Sequence, residues 1–311
     1  MTSLRLATLG VALPLWLSAC AYSGHSVRVA ELGVPRSSRA MEAVLDLPGT
    51  VTVETVVSAD WYVPLSGLLN LDHPKAKAAG LHDRDEPMHI YFHALRHPSR
   101  GLFVVDTGVP RAFRDDPPAS GVGWLVRREL HLEKMVFHVP FGDWLARQPD
   151  KLAGVFLTHL HIDHIAGMPD VPKGTAIYAG PGETDYRAMV HLLLAGSVDG
   201  LLQGHAAIGA WQFRADADGE LAGVLDVFGD GMVWALHVPG HTPGSTAYVV
   251  RTPAGPVLLV GDTCHTRWGW DNSVEPGDYT RDQAQNAASL AKLRALAARH
   301  PTLKVRLGHQ E

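Results

Sequence analysis

Thr158-His159-Leu160-His161-Ile162-Asp163-His164 sets three histidines and one aspartate within six consecutive positions. It follows a short apolar stretch, residues 154–157, of the kind that forms a buried strand. The donor side chains therefore belong at a strand's end, on a loop. Neutral imidazoles and carboxylates are good ligands for zinc and for iron. Alternate side chains of an extended segment share a side, so His159 and His161 point the same way. Asp163 and His164 lie past a bend, free to address a second ion about 3.5–4 Å from the first.

Three more expected strand ends carry the same residue types. Residues 232–237 lead into His237-Val238-Pro239-Gly240-His241-Thr242-Pro243-Gly244-Ser245. The spacing of His237 and His241 would suit one helical face, but Pro239 and Gly240 forbid a helix, so this is a loop. The two histidines need not share a role, and His237 reads as supporting. Residues 257–260 lead into Gly261-Asp262-Thr263, and residues 304–307 into Gly308-His309-Gln310. Further strands are expected at 51–57, 89–95, 102–105, 175–178 and 247–251. A helix is expected at 283–299, where Ala and Leu recur at helical spacing before Pro301. Strands mixed with helices argue α/β or α+β layers. Residues 109–150 are the least regular, and residues 182–203 read as an apolar helix pair or a lid.

The whole sequence sets the bounds. Of 311 residues 46% are apolar and 19% charged, enough for a sizeable core. A net charge of −5 gives no basic footprint for nucleic acid, and two cysteines exclude a disulfide framework. The 18 histidines are the unusual count, and histidine is the commonest metal ligand. At the N-terminus Arg5 precedes an apolar run too short to span a bilayer comfortably, with the shape of a secretory signal. Leu17-Ser18-Ala19-Cys20 resembles a bacterial lipobox. That resemblance implies a signal peptide over 1–19, lipid on the Cys20 thiol, a tether over 20–45 and a domain over 46–311. It also implies a lipid-anchored domain in the periplasm of the bacterial cell envelope.

The four motifs, in order, resemble the metallo-β-lactamase superfamily from about Val51 to His309. The resemblance implies an α/β fold, a four-layer αββα sandwich of two mixed β-sheets flanked by helices. It also implies two Zn(2+), with iron or manganese as alternatives. His159, His161 and His241 would hold one ion; Asp163, His164 and His309 the other; Asp262 would bridge them. Asp106, in Asp106-Thr107-Gly108, matches a supporting acidic residue. The implied reaction is hydrolysis of an ester, lactone or related bond in a small-molecule substrate. Two cations lower the pKa of a shared water toward neutrality, and the resulting hydroxide attacks. Asp163 would accept a proton and pass it to the leaving group.

His265 stands where the acyl-homoserine lactonase branch carries a substrate-contacting Tyr. It is a candidate catalytic residue that would hydrogen-bond a carbonyl, with a structural role as the other reading. Cys264 reads as a small buried thiol. Trp268 and Trp270 would line the mouth of the site or pack beside it. A β-lactamase would suit an envelope location, but the Cys-ligand type lacks the bridging Asp262. A mononuclear-iron persulfide dioxygenase normally lacks the full second set. A catalytically silent envelope lipoprotein of the same fold would be expected to lose ligands, and none is lost.

Overall fold

The computed structural model describes residues 21–188 and 191–311. The expected signal peptide and Cys20 lie outside the described residues. In chain order the strands are β1 (Val27–Val29), β2 (Val34–Arg36), β3 (Thr52–Pro64), β4 (Asp85–His97), β5 (Gly101–Val105), β6 (Val136–Phe137), β7 (Leu152–Phe156), β8 (Ala176–Ala179), β9 (Ile208–Ala210), β10 (Gly223–Asp226), β11 (Val233–His237), β12 (Thr246–Thr252), β13 (Gly255–Leu259) and β14 (Lys304–Arg306). They form an eight-stranded sheet, β1-β9-β8-β7-β5-β4-β3-β6, and a six-stranded sheet, β14-β13-β12-β11-β10-β2. Both are mixed: β5, β7, β8 and β9 run parallel beside an antiparallel β3–β4–β5 meander, and β14 runs parallel to β13 in an otherwise antiparallel sheet.

Strand alternation decides which side chains fill which layer. Val233 and Ala235 of β11, and Tyr248 and Val250 of β12, point inward and meet Phe103, Val105, Phe156 and Tyr178 of the other sheet. The intervening Trp234, Leu236, Ala247 and Val249 point outward onto Leu290, Leu293 and Leu296 of the helix Gln283–Arg299. On the far side, Val104, Val155 and Ile177 pack with Ile165, Val198 and Leu201 from helical segments. Three apolar interfaces thus separate four layers, the αββα sandwich. The helix Gln283–Arg299 begins where Asp282 accepts a hydrogen bond from the Gln285 amide, 2.9 Å.

Two expectations are corrected. Residues 27–45, read as tether, are built into the sandwich. β1 adds to β9, β2 adds to β10, and the helix Ser38–Leu45 fully buries Met41 and Leu45. Each such side chain contributes about 1.5–3 kcal/mol. Arg299 and His300 then bind Glu42 at 2.8 and 3.1 Å. Three-residue strands are too short to show a period, so the Ser, Gly and Arg content of this stretch read as linker. The second correction concerns residues 182–203, read as an apolar helix pair or a lid: the described residues form one helix, His191–Leu202, which buries Val198, Leu201 and Leu202 and leaves Leu192 and Leu193 exposed.

Candidate metal centre

Five strand ends converge on one edge of the sandwich. β7 ends in the histidine-rich loop, and β5, its parallel neighbour, ends in Asp106. The Asp106 amide bonds the Phe156 carbonyl at 2.9 Å, which locks the two ends together. From the other sheet β11 leads to His241, β13 to Asp262 and β14 to His309. Gly308 is required there, because a Cβ on it would stand 2.4 Å from Asp262 Oδ1.

Asp262 is the centre of the cluster. Its Oδ2 lies 3.2 Å from His164 Nε2, 3.3 Å from His309 Nε2, 3.4 Å from His241 Nε2 and 3.6 Å from His159 Nε2. His161 enters through its other nitrogen, with Nδ1 2.9 Å from His241 Nε2. Asp163 Oδ2 faces His309 Nε2 at 3.3 Å and His164 Nε2 at 3.5 Å. The donor atoms fall into two groups, His159–His161–His241–Asp262 and Asp163–His164–Asp262–His309. Asp262 is common to both, and the two groups contain the seven residues expected as ligands.

The chemistry of this set fits cations. His159 Nε2, His164 Nε2 and Asp262 Oδ1 are buried without a hydrogen-bond partner. Burial of that kind is costly unless something pairs the atoms, and an ion would do so. Burial holds His159 and His241 well below the usual histidine range and brings His161 down to about 4. Those rings keep the neutral lone pair that a metal needs. The second group behaves oppositely. Burial opposes charge on His164, but Asp262, Asp163 and Asp106 outweigh it and raise the ring well above its ordinary value. His309 is raised too, against burial, chiefly by Asp262. Burial alone would raise Asp262, yet His164, His309 and His265 hold it well below the carboxylate range. The field of this second group favours positive charge.

Supporting contacts fix the rings of His164, His241 and His309. The Asp106 carboxylate accepts His164 Nδ1–H at 2.8 Å and the Thr158 amide and hydroxyl at 2.8 and 2.9 Å. Asp106 holds a left-handed backbone, φ +57°, which Asp tolerates better than most residues. Its carboxylate is taken up by the His164 ring and by Thr158. His309 Nδ1–H donates to the His89 carbonyl at 2.9 Å. Three partners carried no motif. Asn286 Oδ1 accepts the His241 amide at 3.0 Å, and Thr280 Oγ1 pairs with His241 Nδ1 at 3.1 Å. The buried Glu183 accepts from the Leu160 amide at 2.9 Å, the Gly244 amide at 2.8 Å and the Thr242 hydroxyl. It ties the two ligand loops together, and burial pushes its carboxyl up to about 7.

The remaining expectations sort as follows. His237 stacks on Phe213 at 4.9 Å and meets the Pro243 carbonyl, away from the cluster. Cys264 is a buried thiol, pushed up to about 12 by burial, and donates to the Thr266 carbonyl. Trp270 and Trp268 pack on the apolar clusters. His265 does not face open space: its ring is 1% exposed, with Nδ1 on the Leu68 carbonyl and Nε2 on Asp262. Tyr22, which carried no signal, is buried with its ring 5.9 Å from that of His161.

Ligand-type side chains gathered at strand ends between two layered sheets define a metal-dependent hydrolase. The chain belongs to the metallo-β-lactamase superfamily, whose sequence pattern matches residues 90–309. It is 29% identical over 246 residues to the N-acyl homoserine lactonase AttM of Azorhizobium caulinodans, covering 76% of this chain and 88% of that protein. It is 30% identical over 124 residues to a hydroxyacylglutathione hydrolase of Neisseria meningitidis serogroup A, covering 40% of this chain and 39% of that protein. Among solved structures a quorum-quenching N-acyl homoserine lactone hydrolase superposes with TM-score 0.57 at 17% identity, covering 85% of this chain and 94% of that one. AidC, a dizinc quorum-quenching lactonase, gives TM-score 0.54 at 14% identity, covering 90% and 92%.

Proposed function

We propose that this chain is a dizinc hydrolase of lactone or ester bonds, with an N-acyl lactone as the first substrate to test. The observation that carries this reading is Asp262, one buried carboxylate common to two complete donor groups. The likeness to lactonases along most of the chain supports the choice of bond. His159, His161 and His241 would hold one ion, Asp163, His164 and His309 the other, with Asp262 between. When bound, such ions supply an activated water and polarise the substrate's carbonyl oxygen. The protein's part is to keep His159, His161 and His241 neutral by burial and to aim the rings of His159, His164, His241 and His309 through their second nitrogens. Asp163, its side chain 19% exposed, is the more open of the two carboxylates. It is placed to take a proton and return it to the leaving oxygen.

The test is metal content and hydrolysis by the full chain purified without chelator, screened on acyl lactones, thioesters, β-lactams and phosphate esters. Near two zinc per chain is expected, with activity falling more than about 100-fold in His159→Ala and Asp262→Ala, beyond what loss of an outer contact costs. Full activity in either variant overturns the reading. Near one iron instead would point to sulfur oxidation.

We also propose, from the likeness of Leu17-Ser18-Ala19-Cys20 to a lipobox, that the enzyme is lipid-anchored at the envelope through Cys20 with its domain in the periplasm. Tyr22, two residues past Cys20, lies against His161, Tyr186 and His191 with ring centroids 5.9, 5.1 and 4.6 Å away. An anchor on Cys20 would therefore hold the metal centre close to the membrane surface. Cys20→Ala should move the protein out of the membrane fraction, and retention there overturns the anchor.

A further inference from the structure

His265 is built like the ligands around it. Its Nε2 stands 3.0 Å from Asp262 Oδ2, nearer than the Nε2 of His159, His164, His241 or His309. Its ring centroid is 5.2 Å from that of His241 and 5.2 Å from that of His309, so it stands between the two donor groups. Its other nitrogen is fixed by the device that fixes His309. Nδ1 lies 3.0 Å from the Leu68 carbonyl, as His309 Nδ1 lies 2.9 Å from the His89 carbonyl. A carbonyl only accepts, so Nδ1 donates to it and Nε2 is the ring atom left to face Asp262. A buried ring nitrogen and a buried carboxylate oxygen at this distance need a cation between them, a proton or a metal ion. Ligands about 2.1 Å from one ion, at a right angle to tetrahedral separation, are themselves about 3.0–3.4 Å apart. The His265–Asp262 distance falls in that range.

We propose that His265 is a metal ligand, an eighth donor whose Nε2 binds an ion held by Asp262 Oδ2. The resemblance implies a substrate-facing Tyr at this position, and here the side chain faces the bridging carboxylate instead. The assignment rests on the metal-centre part of the proposed function and not on the substrate. An extra imidazole would add one protein donor to that ion and leave fewer of its positions for water and substrate oxygen.

The test is NMR of the full chain carrying 15N-labelled histidine and loaded with 113Cd, which substitutes for zinc and couples directly to bound nitrogen. Six cadmium-coupled imidazoles are expected in the native protein, the sixth vanishing in His265→Gln. Zinc affinity measured by chelator competition should fall at least about 10-fold in that variant. Five coupled imidazoles in the native protein, with His265 Nε2 carrying a proton, would overturn the assignment in favour of a hydrogen bond to Asp262. Failure to bind cadmium or zinc would overturn it together with the metal centre. Six coupled imidazoles in a protein inert toward lactones would uphold it and overturn only the substrate reading.

Discussion

The two regions that supply the candidate ligands are built differently. Residues 158–164 deliver His159, His161, Asp163 and His164 from the loop after β7 and the short helix Ile162–Ile165 that follows it. Their supports lie close by, in Thr158 and in Asp106 at the end of the adjacent β5. Residues 237–309 deliver His241, Asp262 and His309 from three separate strand ends of the other sheet. His309 is then oriented by a main-chain carbonyl of β4, across the sandwich, and His265 by the carbonyl of Leu68. The first region assembles its geometry locally. The second acquires it only when the two sheets dock, so its precision depends on packing along the whole sandwich.

Glu183 is where the two regions are joined, and its loss should show the largest effect on stability. Glu183→Ala strips buried acceptors from the Leu160 and Gly244 amides and from the Thr242 hydroxyl. An orphaned buried donor costs about 1–3 kcal/mol, so a loss of about 3 kcal/mol is expected in denaturant unfolding. Zinc affinity should fall with it. Unchanged stability would mean that the loops hold their relative position without this clamp.

The comparison sharpens with Asp106→Asn against Asn286→Ala. Asn tolerates the left-handed backbone at 106, so that change reads on the carboxylate's contacts with the His164 ring and the Thr158 hydroxyl, which share one of its oxygens. Asp106→Asn should weaken zinc binding about 10- to 100-fold. Asn286→Ala removes a bond to the main chain of His241 rather than to its ring and should cost less than about 10-fold. Equal losses, measured by chelator competition, would break the distinction between a locally supported and a docked region.

The same difference explains what could be read in the sequence. The local region was legible because its ligands are neighbours in the chain and its strand is a plain apolar run. The ligands of the docked region were legible only through short loop patterns, Gly240-His241-Thr242 and Gly261-Asp262-Thr263, whose meaning comes from the resemblance. Glu183, Asn286 and Tyr22 stand in no motif, and each acts across a fold that brings distant residues together. Asn286 meets His241 from 45 residues away. β1 and β2 were missed because three residues cannot display alternation, and their place at the sheet edges is set by their partners β9 and β10. His265 could be noticed only as a departure from Tyr; its turn toward Asp262 needed the Leu68 carbonyl, 197 residues away in sequence.

The smallest effect tests the docked packing from a distance. His93 on β4 is buried with Nδ1 3.0 Å from Thr55 Oγ1, and burial lowers its ring to about 3. In the unfolded chain it titrates near 6.5. Above that value both states hold a neutral ring and His93 adds no pH dependence. As pH falls below it, the unfolded state takes a proton that the folded state refuses, and stability is lost progressively toward pH 3. Between pH 7 and pH 5.5 this one residue should cost about 1 kcal/mol. His93→Phe keeps an aromatic ring in the layer and has nothing to protonate. Its unfolding free energy should therefore fall less than that of the native protein over this interval. Equal slopes for the two proteins would mean that the native fold lets His93 take its proton, and that β4 yields more readily than its full burial implies.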